Sequence, residues 1–432
     1  MEPKTLKRVL IITYYWPPAG GPGVQRWLKF VKYLREFGVD PLVYVPENPS
    51  YPLLDQDLIK EVPEDITVFK HPVFEPYSIA SVFSKKGTEA MSSGLIKEKE
   101  QGIKERLLLW IRGNLFIPDA RRFWIHPSVK FLEPLLEQKQ IDTVVTTGPP
   151  HSLHLIGLKL QKETKVKWIA DFRDPWTSIG YHKKLKLSRW AAKKHKQLEK
   201  KVLKSADIVL ATSHTTAKEL EGISGRGVKT LTNGFDTADT PVEVGPSSKF
   251  RLAHIGSLLT GRDPKILWEV LGELVETERS FKDDLEINLV GAVSEEVLQS
   301  VKNAGLEPFL FVKGYVSHDK ALQLQREARV LLLLEIDSKD TRGIIPGKLF
   351  EYMAARRPVL AIGPENWEAG ELLAESRAGA VFTYKEKQPL KEAVIELYRN
   401  YKNGTIFGEE TQISQYTRKA LTEKLATIIK DI

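Results

Sequence analysis

Pro346-Gly347-Lys348-Leu349-Phe350-Glu351-Tyr352-Met353-Ala354-Ala355-Arg356-Arg357-Pro358-Val359-Leu360 reads as a helix running into a buried strand. Pro346 suits the first helical position, where a missing N–H costs nothing. Pro358 opens an apolar run that cannot continue the helix. The charges are out of place. Lys348 falls in the first turn, where the positive end of the helix dipole disfavours a cation, and Glu351 lies between two aromatic residues. A lysine in that turn fits an anion such as a diphosphate docked on the helix N-terminus. A carboxylate one turn further on can accept hydrogen bonds from a vicinal diol, such as the hydroxyls of a ribose. The same two residues would also make an i,i+3 ion pair on a solvated face, worth about 0.2–0.5 kcal/mol.

Outward from this segment, short apolar runs alternate with helical patterns over the whole chain, which predicts α/β units with mainly parallel sheets. Strands are expected near Val9–Ile12, Pro41–Val45, Thr143–Thr146, Trp168–Ala170 and Ile208–Ala211. A second set is expected near Arg251–Ile255, Glu286–Leu289, Phe309–Val312, Val330–Leu333, Pro358–Ala361 and Ala380–Val381. Between the sets, Thr237 to Lys249 is polar and aperiodic and reads as a linker. The chain thus divides into two Rossmann-like doubly wound domains, residues 1–236 and 237–410, which should face each other across a cleft. Ligands of such sheets bind at the carboxyl ends of the strands. Residues 85–130 read as a helical insertion in the first domain. Residues 411–432 read as a terminal helix.

Four further segments carry candidate chemistry, each following an expected strand. Gly20-Gly21-Pro22-Gly23 lets backbone N–H groups approach a ligand at the start of a helix from Val24, but it matches neither a Walker A loop nor a dinucleotide fingerprint. Thr147-Gly148-Pro149-Pro150-His151 would bring His151 to the edge of the first sheet. Asp171-Phe172-Arg173-Asp174 sets three charges among aromatics, costly unless paired or used; a structural Arg–Asp pair and recognition of an acceptor hydroxyl both fit. Gly256-Ser257-Leu258-Leu259-Thr260-Gly261-Arg262 permits close approach, with Arg262 offering a planar fork for phosphate oxygens and Lys265 a second cation.

Taken in order, these motifs resemble the retaining nucleotide-sugar glycosyltransferases of family 4, also called group 1, which have the two-domain GT-B fold. The resemblance spans nearly the whole chain. It implies transfer of a hexose-like sugar from a nucleoside diphosphate sugar to a hydroxyl acceptor on a glycan or lipid-linked molecule, as in cell-surface polysaccharide or lipopolysaccharide assembly. It assigns catalytic roles to His151, Arg262 and Lys348. Gly21, Gly23, Asp171, Arg173 and Asp174 fall to the acceptor side and the loop under the sugar diphosphate. Gly256, Ser257, Arg262, Lys265, Lys348 and Glu351 fall to the donor. Gly314, Tyr315 and Val316 would meet the base through backbone groups. The last helix is expected to return to the N-terminal domain. The family's usual first glutamate, eight positions before Glu351, is replaced by Gly343, so backbone groups of Gly343, Ile344 and Ile345 become candidates for its sugar contact. That departure leaves open a non-catalytic nucleotide-sugar-binding protein or an epimerase of the same fold.

Composition narrows the rest. The 432 residues suit two domains, and 42% hydrophobic with 28% charged content is that of a globular chain. With no cysteine, disulfides, thiolate metal sites and cysteine nucleophiles are excluded. No carboxylate cluster has metal spacing, and neither cofactor nor metal is expected. A cytoplasmic protein is expected, because no apolar run suits a membrane span or signal peptide. The net charge of +8 calls for an anionic partner. Ten Lys or Arg against one Glu fall between Tyr181 and Lys204, without a nucleic-acid recognition motif. A basic amphipathic helix there suits an anionic membrane surface, and a solvated helix with one buried face suits it equally.

Overall fold

A computed structural model describes residues 6–75, 103–179, 182, 185–236, 245–405 and 411–432, with the side chains of residues 22 and 103–105 left aside. Residues 85–102 of the expected insertion, 237–244 of the expected linker, and Lys183 and Lys184 of the basic run lie outside that set. The chain forms two compact units, Met1–Thr232 with Arg418–Ile432, and Asn233–Thr417.

Unit 1 begins with β1 (Lys7–Ile12), α1 (Pro22–Leu34), β2 (Val39–Pro46) and β3 (Val68–His71), then α2 (Ile103–Leu115) and α3 (Ile125–Gln138). It continues with β4 (Thr143–Gly148), α4 (Ser152–Thr164), β5 (Lys167–Phe172), α5 (Arg189–Ser205), β6 (Ile208–Ala211), α6 (His214–Ser224) and β7 (Lys229–Thr230). The strands form one seven-stranded sheet in the order β3-β2-β1-β4-β5-β6-β7, every pair parallel. Consecutive apolar residues in each strand serve opposite faces, as a sheet covered on both sides requires. Leu10, Ile12, Val144 and Trp168 pack with Val129 and Leu132 of α3 and Ile156 of α4. Val9, Ile11, Val145 and Ile169 pack on the other face with Trp27, Leu28 and Val31 of α1.

Unit 2 contains β8 (Phe250–Ile255), α7 (Lys265–Thr277), α8 (Arg279–Asp284), β9 (Leu285–Val290), α9 (Glu295–Asn303), β10 (Leu310–Lys313) and α10 (His318–Glu327). Then come β11 (Val330–Leu334), α11 (Gly347–Ala354), β12 (Val359–Gly363), α12 (Glu368–Glu375), β13 (Gly379–Thr383) and α13 (Lys387–Lys402). Its six-stranded parallel sheet runs β10-β9-β8-β11-β12-β13. The final helix, α14 (Arg418–Lys430), belongs to unit 1. Its Leu421, Leu425 and Ile429 pack into the same core as Leu28 of α1, each burial contributing about 1.5–3 kcal/mol.

All eleven expected strands are present, and β3 and β7 are additional. Both are short edge strands, Val-Phe-Lys-His and Lys-Thr, too short to show the apolar run that marks most of the others. Several boundaries differ from expectation. The units divide at 232/233 and 417/418 rather than at 236 and 410, because Phe235 N–H donates to the Tyr416 carbonyl at 3.1 Å and Phe235, Ile413 and Tyr416 share a core with α11. The expected insertion overruns into α3, whose Val129, Leu132 and Leu136 belong to the sheet's own core. Helices α1 and α11 start at Pro22 and Gly347 rather than Val24 and Pro346, Pro346 being the extended residue before the first turn.

Candidate functional site

In unit 2 the sheet order reverses between β8 and β11, and their diverging carboxyl ends mark the place where doubly wound sheets bind ligands. The sequence fills that place with charge. Lys348, in the first turn of α11, reaches back to β8, where its Nζ donates to His254 Nε2 at 3.3 Å. The lysine tip passes over Gly256, whose φ is +115° and where a Cβ would stand 2.9 Å from Nζ. Glycine is favoured there for its backbone, and a Cβ would push the lysine tip aside. His254 is fully buried, and its Nδ1 lies 2.9 Å from the Leu332 carbonyl. Since a carbonyl only accepts, Nδ1 carries the proton and Nε2 receives the ammonium hydrogen. Burial, reinforced by the Lys348 charge, pushes His254 down to about 3, so it is a neutral imidazole.

Burial also pushes Lys348 down to about 8, with the Arg262 charge adding to it and Glu335 and Glu351 opposing. All four charges therefore share one neighbourhood. Arg262 presents Nε to Glu335 Oε1 at 3.0 Å and Nη2 to Oε2 at 3.4 Å. Glu335, at the end of β11, is buried and also accepts the Ile336 N–H at 2.8 Å. Glu351 Oε2 accepts from the buried Gln325 Nε2 at 3.0 Å. Tyr352 fixes α11 against the strand, its hydroxyl accepting the Ile255 N–H at 2.9 Å. The helix end, two cations and two carboxylates thus converge on the switch point, which suits an anion carrying a diol.

The remaining sequence candidates of unit 2 surround this cluster to different degrees. Ser257 lies in the loop after β8, and Lys265 opens α7 with its side chain exposed. Gly314, Tyr315 and Val316 follow β10, two strands away from β8, with Tyr315 projecting into solvent. Gly343, Ile344 and Ile345 precede α11. The expectation for Ile344 needs correction: its N–H donates to Thr341 at 3.0 Å and its carbonyl accepts from Trp367 Nε1 at 2.8 Å. Both backbone groups are engaged in shaping the loop.

Unit 1 repeats the arrangement, with its switch point between β1 and β4. Gly21, at φ +101°, is the residue before α1. Gly23 lies under the Arg173 guanidinium, which a Cβ would displace, and Arg173 Nη2 donates to the Pro149 carbonyl. Arg173 therefore ties together the loops after β1, β4 and β5. His151 precedes α4 and is almost fully buried. Its ring stacks on Trp176, centroids 4.8 Å apart and planes 2° from parallel, and neither ring nitrogen has a hydrogen-bond partner. Burial, followed by the neighbouring His154 and Arg173, holds it well below the usual histidine range. Asp174, half-buried, makes no hydrogen bond or ion pair among the described residues, and burial raises its pKa against the pull of Arg173. A neutral imidazole and a carboxyl of raised pKa suit proton exchange with a hydroxyl.

Asp171 does not join them. It is fully buried and accepts from Arg26 Nη2 at 3.0 Å, Trp27 Nε1 at 2.8 Å and Thr147 Oγ1 at 3.0 Å. Burial alone would raise its pKa, and the Arg26 charge and hydrogen bonds bring it below the usual value. The expected acceptor contact is thus corrected to a structural pair, with Arg26 rather than Arg173 as partner. Arg26 also donates to the carbonyls of Leu231 and Thr232 at 2.9 Å each, joining β5 to the last residues before the chain enters unit 2. Sequence reasoning missed Arg26, Trp176, His254, Gln325 and Glu335. His254 and Glu335 carried a signal, a polar residue following apolar ones toward the carboxyl end of β8 and directly after β11.

Among the described residues no group of three or more His, Cys, Asp or Glu is placed to hold a metal ion, and no helix is long and apolar enough to cross a membrane.

The model of the group 1 glycosyl transferases matches residues 249–400, and that of Glycosyltransferase Family 4 matches residues 92–239. No curated protein matches the chain. Among solved structures, Anabaena HepE in complex with UDP is 16% identical, with TM-score 0.61, covering 99% of this chain and 100% of that one. A glycosyltransferase from Rickettsia africae is 14% identical, with TM-score 0.58 over 99% and 98% of the two chains. WaaG, a glycosyltransferase of lipopolysaccharide biosynthesis, is 14% identical, with TM-score 0.52 over 98% and 99%. At these identities the likeness is one of fold. Two parallel α/β units with this strand order, and family models matching a segment of each half, lead to one assignment: the chain belongs to the group 1 glycosyltransferases and has the GT-B fold.

Proposed function

We propose that the protein transfers a sugar from a nucleoside diphosphate sugar to a hydroxyl acceptor, with retention at the anomeric carbon. The observation that carries this reading is the convergence of Lys348, Arg262 and Glu351 on the switch point of unit 2. Lys348, Arg262 and the free N–H groups of α11 balance the charge that grows on the departing diphosphate, and Glu351 accepts from the ribose hydroxyls. HepE, bound to UDP, and a Staphylococcus aureus TarM variant bound to UDP and a sugar-glycerol have the same fold, which supports a nucleotide donor and a hydroxyl acceptor. No cofactor or metal is required by this scheme. His151 and Asp174 form the acceptor side.

Glu351→Gln keeps the shape of the side chain and removes its charge. Loss of a charged hydrogen-bond partner costs about 1.5–3 kcal/mol, so calorimetry with uridine, guanosine and adenosine diphosphates should show affinity for the preferred one falling roughly ten- to a hundredfold. Wild-type affinity in the variant would remove the ribose from this position. His151→Ala should lower sugar transfer by about a hundredfold or more with nucleotide affinity nearly intact. An equal fall in both would make the histidine structural.

We further place the reaction at an anionic membrane surface, where lipid-linked or cell-surface acceptors are assembled. Helix α5 runs over Arg189–Ser205, later than expected. It buries Ala191, His195 and Val202 and exposes Lys193, Lys194, Lys200 and Lys201 beside Trp190, which is 66% exposed. On α2, Leu107, Leu108 and Trp110 are also exposed. Tryptophan and lysine at one surface suit the headgroup layer of a bilayer.

A further inference from the structure

We propose that unit 1 carries a groove that binds one anionic phospholipid of the bilayer, with an acyl chain in the groove and the phosphate on its rim. The groove has a volume of about 850 Å³ and opens where α3, α4 and α5 meet, within the usual range for ligand sites. Its floor is apolar, formed by Ile117, Ile125, Leu155, Leu158 and Leu198. Its rim carries Arg122, His126, Lys159, Lys162 and Lys201, against the carboxylate of Glu163. Among the described residues Lys159, Lys162 and Lys201 make no ion pair, so their charge is available to a ligand.

The two halves of this lining select the occupant together. A nucleic acid or a free phosphate would use the rim and leave the leucines wet. A neutral lipid or an apolar peptide would use the floor and leave the lysines without a counter-charge. A molecule with an apolar chain and an anionic head uses both, each buried methylene tightening binding about fourfold. The surroundings agree with a bilayer as its source. Leu115 and Phe123, on either side of the segment that supplies Ile117, are about half exposed, and Trp190 projects from the same helix as Lys201. The groove uses α4 from Leu155 onward, one helical turn beyond His151, which stands before the first turn of that helix and does not line the groove.

This inference rests on the membrane reading and is independent of the donor site. The test is sedimentation of the full chain with vesicles of phosphatidylcholine containing about a third phosphatidylglycerol. Lys159→Glu with Lys162→Glu should weaken binding at least tenfold, since each cation near an anionic surface is worth about fivefold. Leu155→Gln with Leu158→Gln should weaken it by a similar factor with the surface charge unchanged. Lys193→Gln with Lys194→Gln, on the outer face of α5, should produce a loss that disappears at 0.5 M salt, where exposed charges are screened. Because the chain has no cysteine, a single environment-sensitive fluorophore on Leu158→Cys gives a second measurement: brominated acyl chains should quench it, and should quench the same label on Lys193→Cys much less. Wild-type binding by the floor variant, with no quenching at position 158, would overturn the groove and leave the membrane reading standing. No sedimentation of the wild type with anionic vesicles would overturn both.

Discussion

Lys348→Ala should reduce affinity for a nucleoside diphosphate roughly ten- to a hundredfold while leaving affinity for the bare nucleoside nearly unchanged. The basis is loss of a charge-assisted partner, about 1.5–3 kcal/mol. Arg262→Ala should show the same selectivity with a smaller loss, since its fork is already held by Glu335 and a diphosphate must compete for it. Titration calorimetry with a nucleoside and its diphosphate measures both. The pH dependence adds a sharper signature. Burial lowers Lys348 to about 8, and a bound diphosphate favours its charged form. Affinity should therefore hold below pH 8 and fall as pH rises through and above it, a slope that Lys348→Ala abolishes. Linkage also sets the sign for stability. With the folded pKa below the unfolded one, the unfolded chain binds more protons between about pH 8 and 10.4. The ligand-free protein should gain stability across that window. A flat affinity profile in the wild type would remove Lys348 from the diphosphate.

The second large effect is on folding. Asp171→Ala leaves the Arg26 guanidinium buried without its carboxylate, and removing one partner of a buried pair costs about 3–5 kcal/mol. Trp27 Nε1 and Thr147 Oγ1 lose the same acceptor, which puts the expected loss at the upper end. Urea unfolding followed by tryptophan fluorescence should show it as an early transition. Asp174→Asn, three residues on, should stay within about 1 kcal/mol of the wild type, because Asp174 holds no hydrogen bond to lose. The pH dependence follows from the depressed Asp171 value. Its contribution is complete above the unfolded value near 3.9 and is lost as pH falls through the lower folded one. Similar stability of the two variants would return Asp171 to the list of residues available for substrate.

The fold was legible because the central strands are built around short apolar runs, and the sheets bury both faces. The donor site was legible for a different reason. Lys348 and Glu351 contradict their local surroundings, and such contradictions mark places where structure was selected for something besides packing. What escaped were partners joined only by topology. Arg26 and Asp171 are far apart in sequence and meet where the start of α1 reaches the carboxyl end of β5. His254 and Lys348 meet because β8 and β11 are neighbours while α11 follows β11. From sequence alone, Asp171 and Asp174 look equivalent. Only the packing shows one saturated and the other unpartnered.

The returning helix α14 has a consequence for the order in which the molecule is made. Unit 2 is contiguous in the chain, whereas unit 1 is interrupted by it. Ribosomes add about 5–20 residues per second, so all of unit 2 is synthesised before the residues that complete unit 1 exist. Until Leu421, Leu425 and Ile429 arrive, the apolar side of α1 around Leu28 and Val31 lacks its cover. The usual vectorial sequence, first domain first, is thereby inverted at its last step. The half that is started first is the half that is completed last, and a messenger truncated before α14 would yield a chain with a settled second half and a first half offering that bare helix to chaperones.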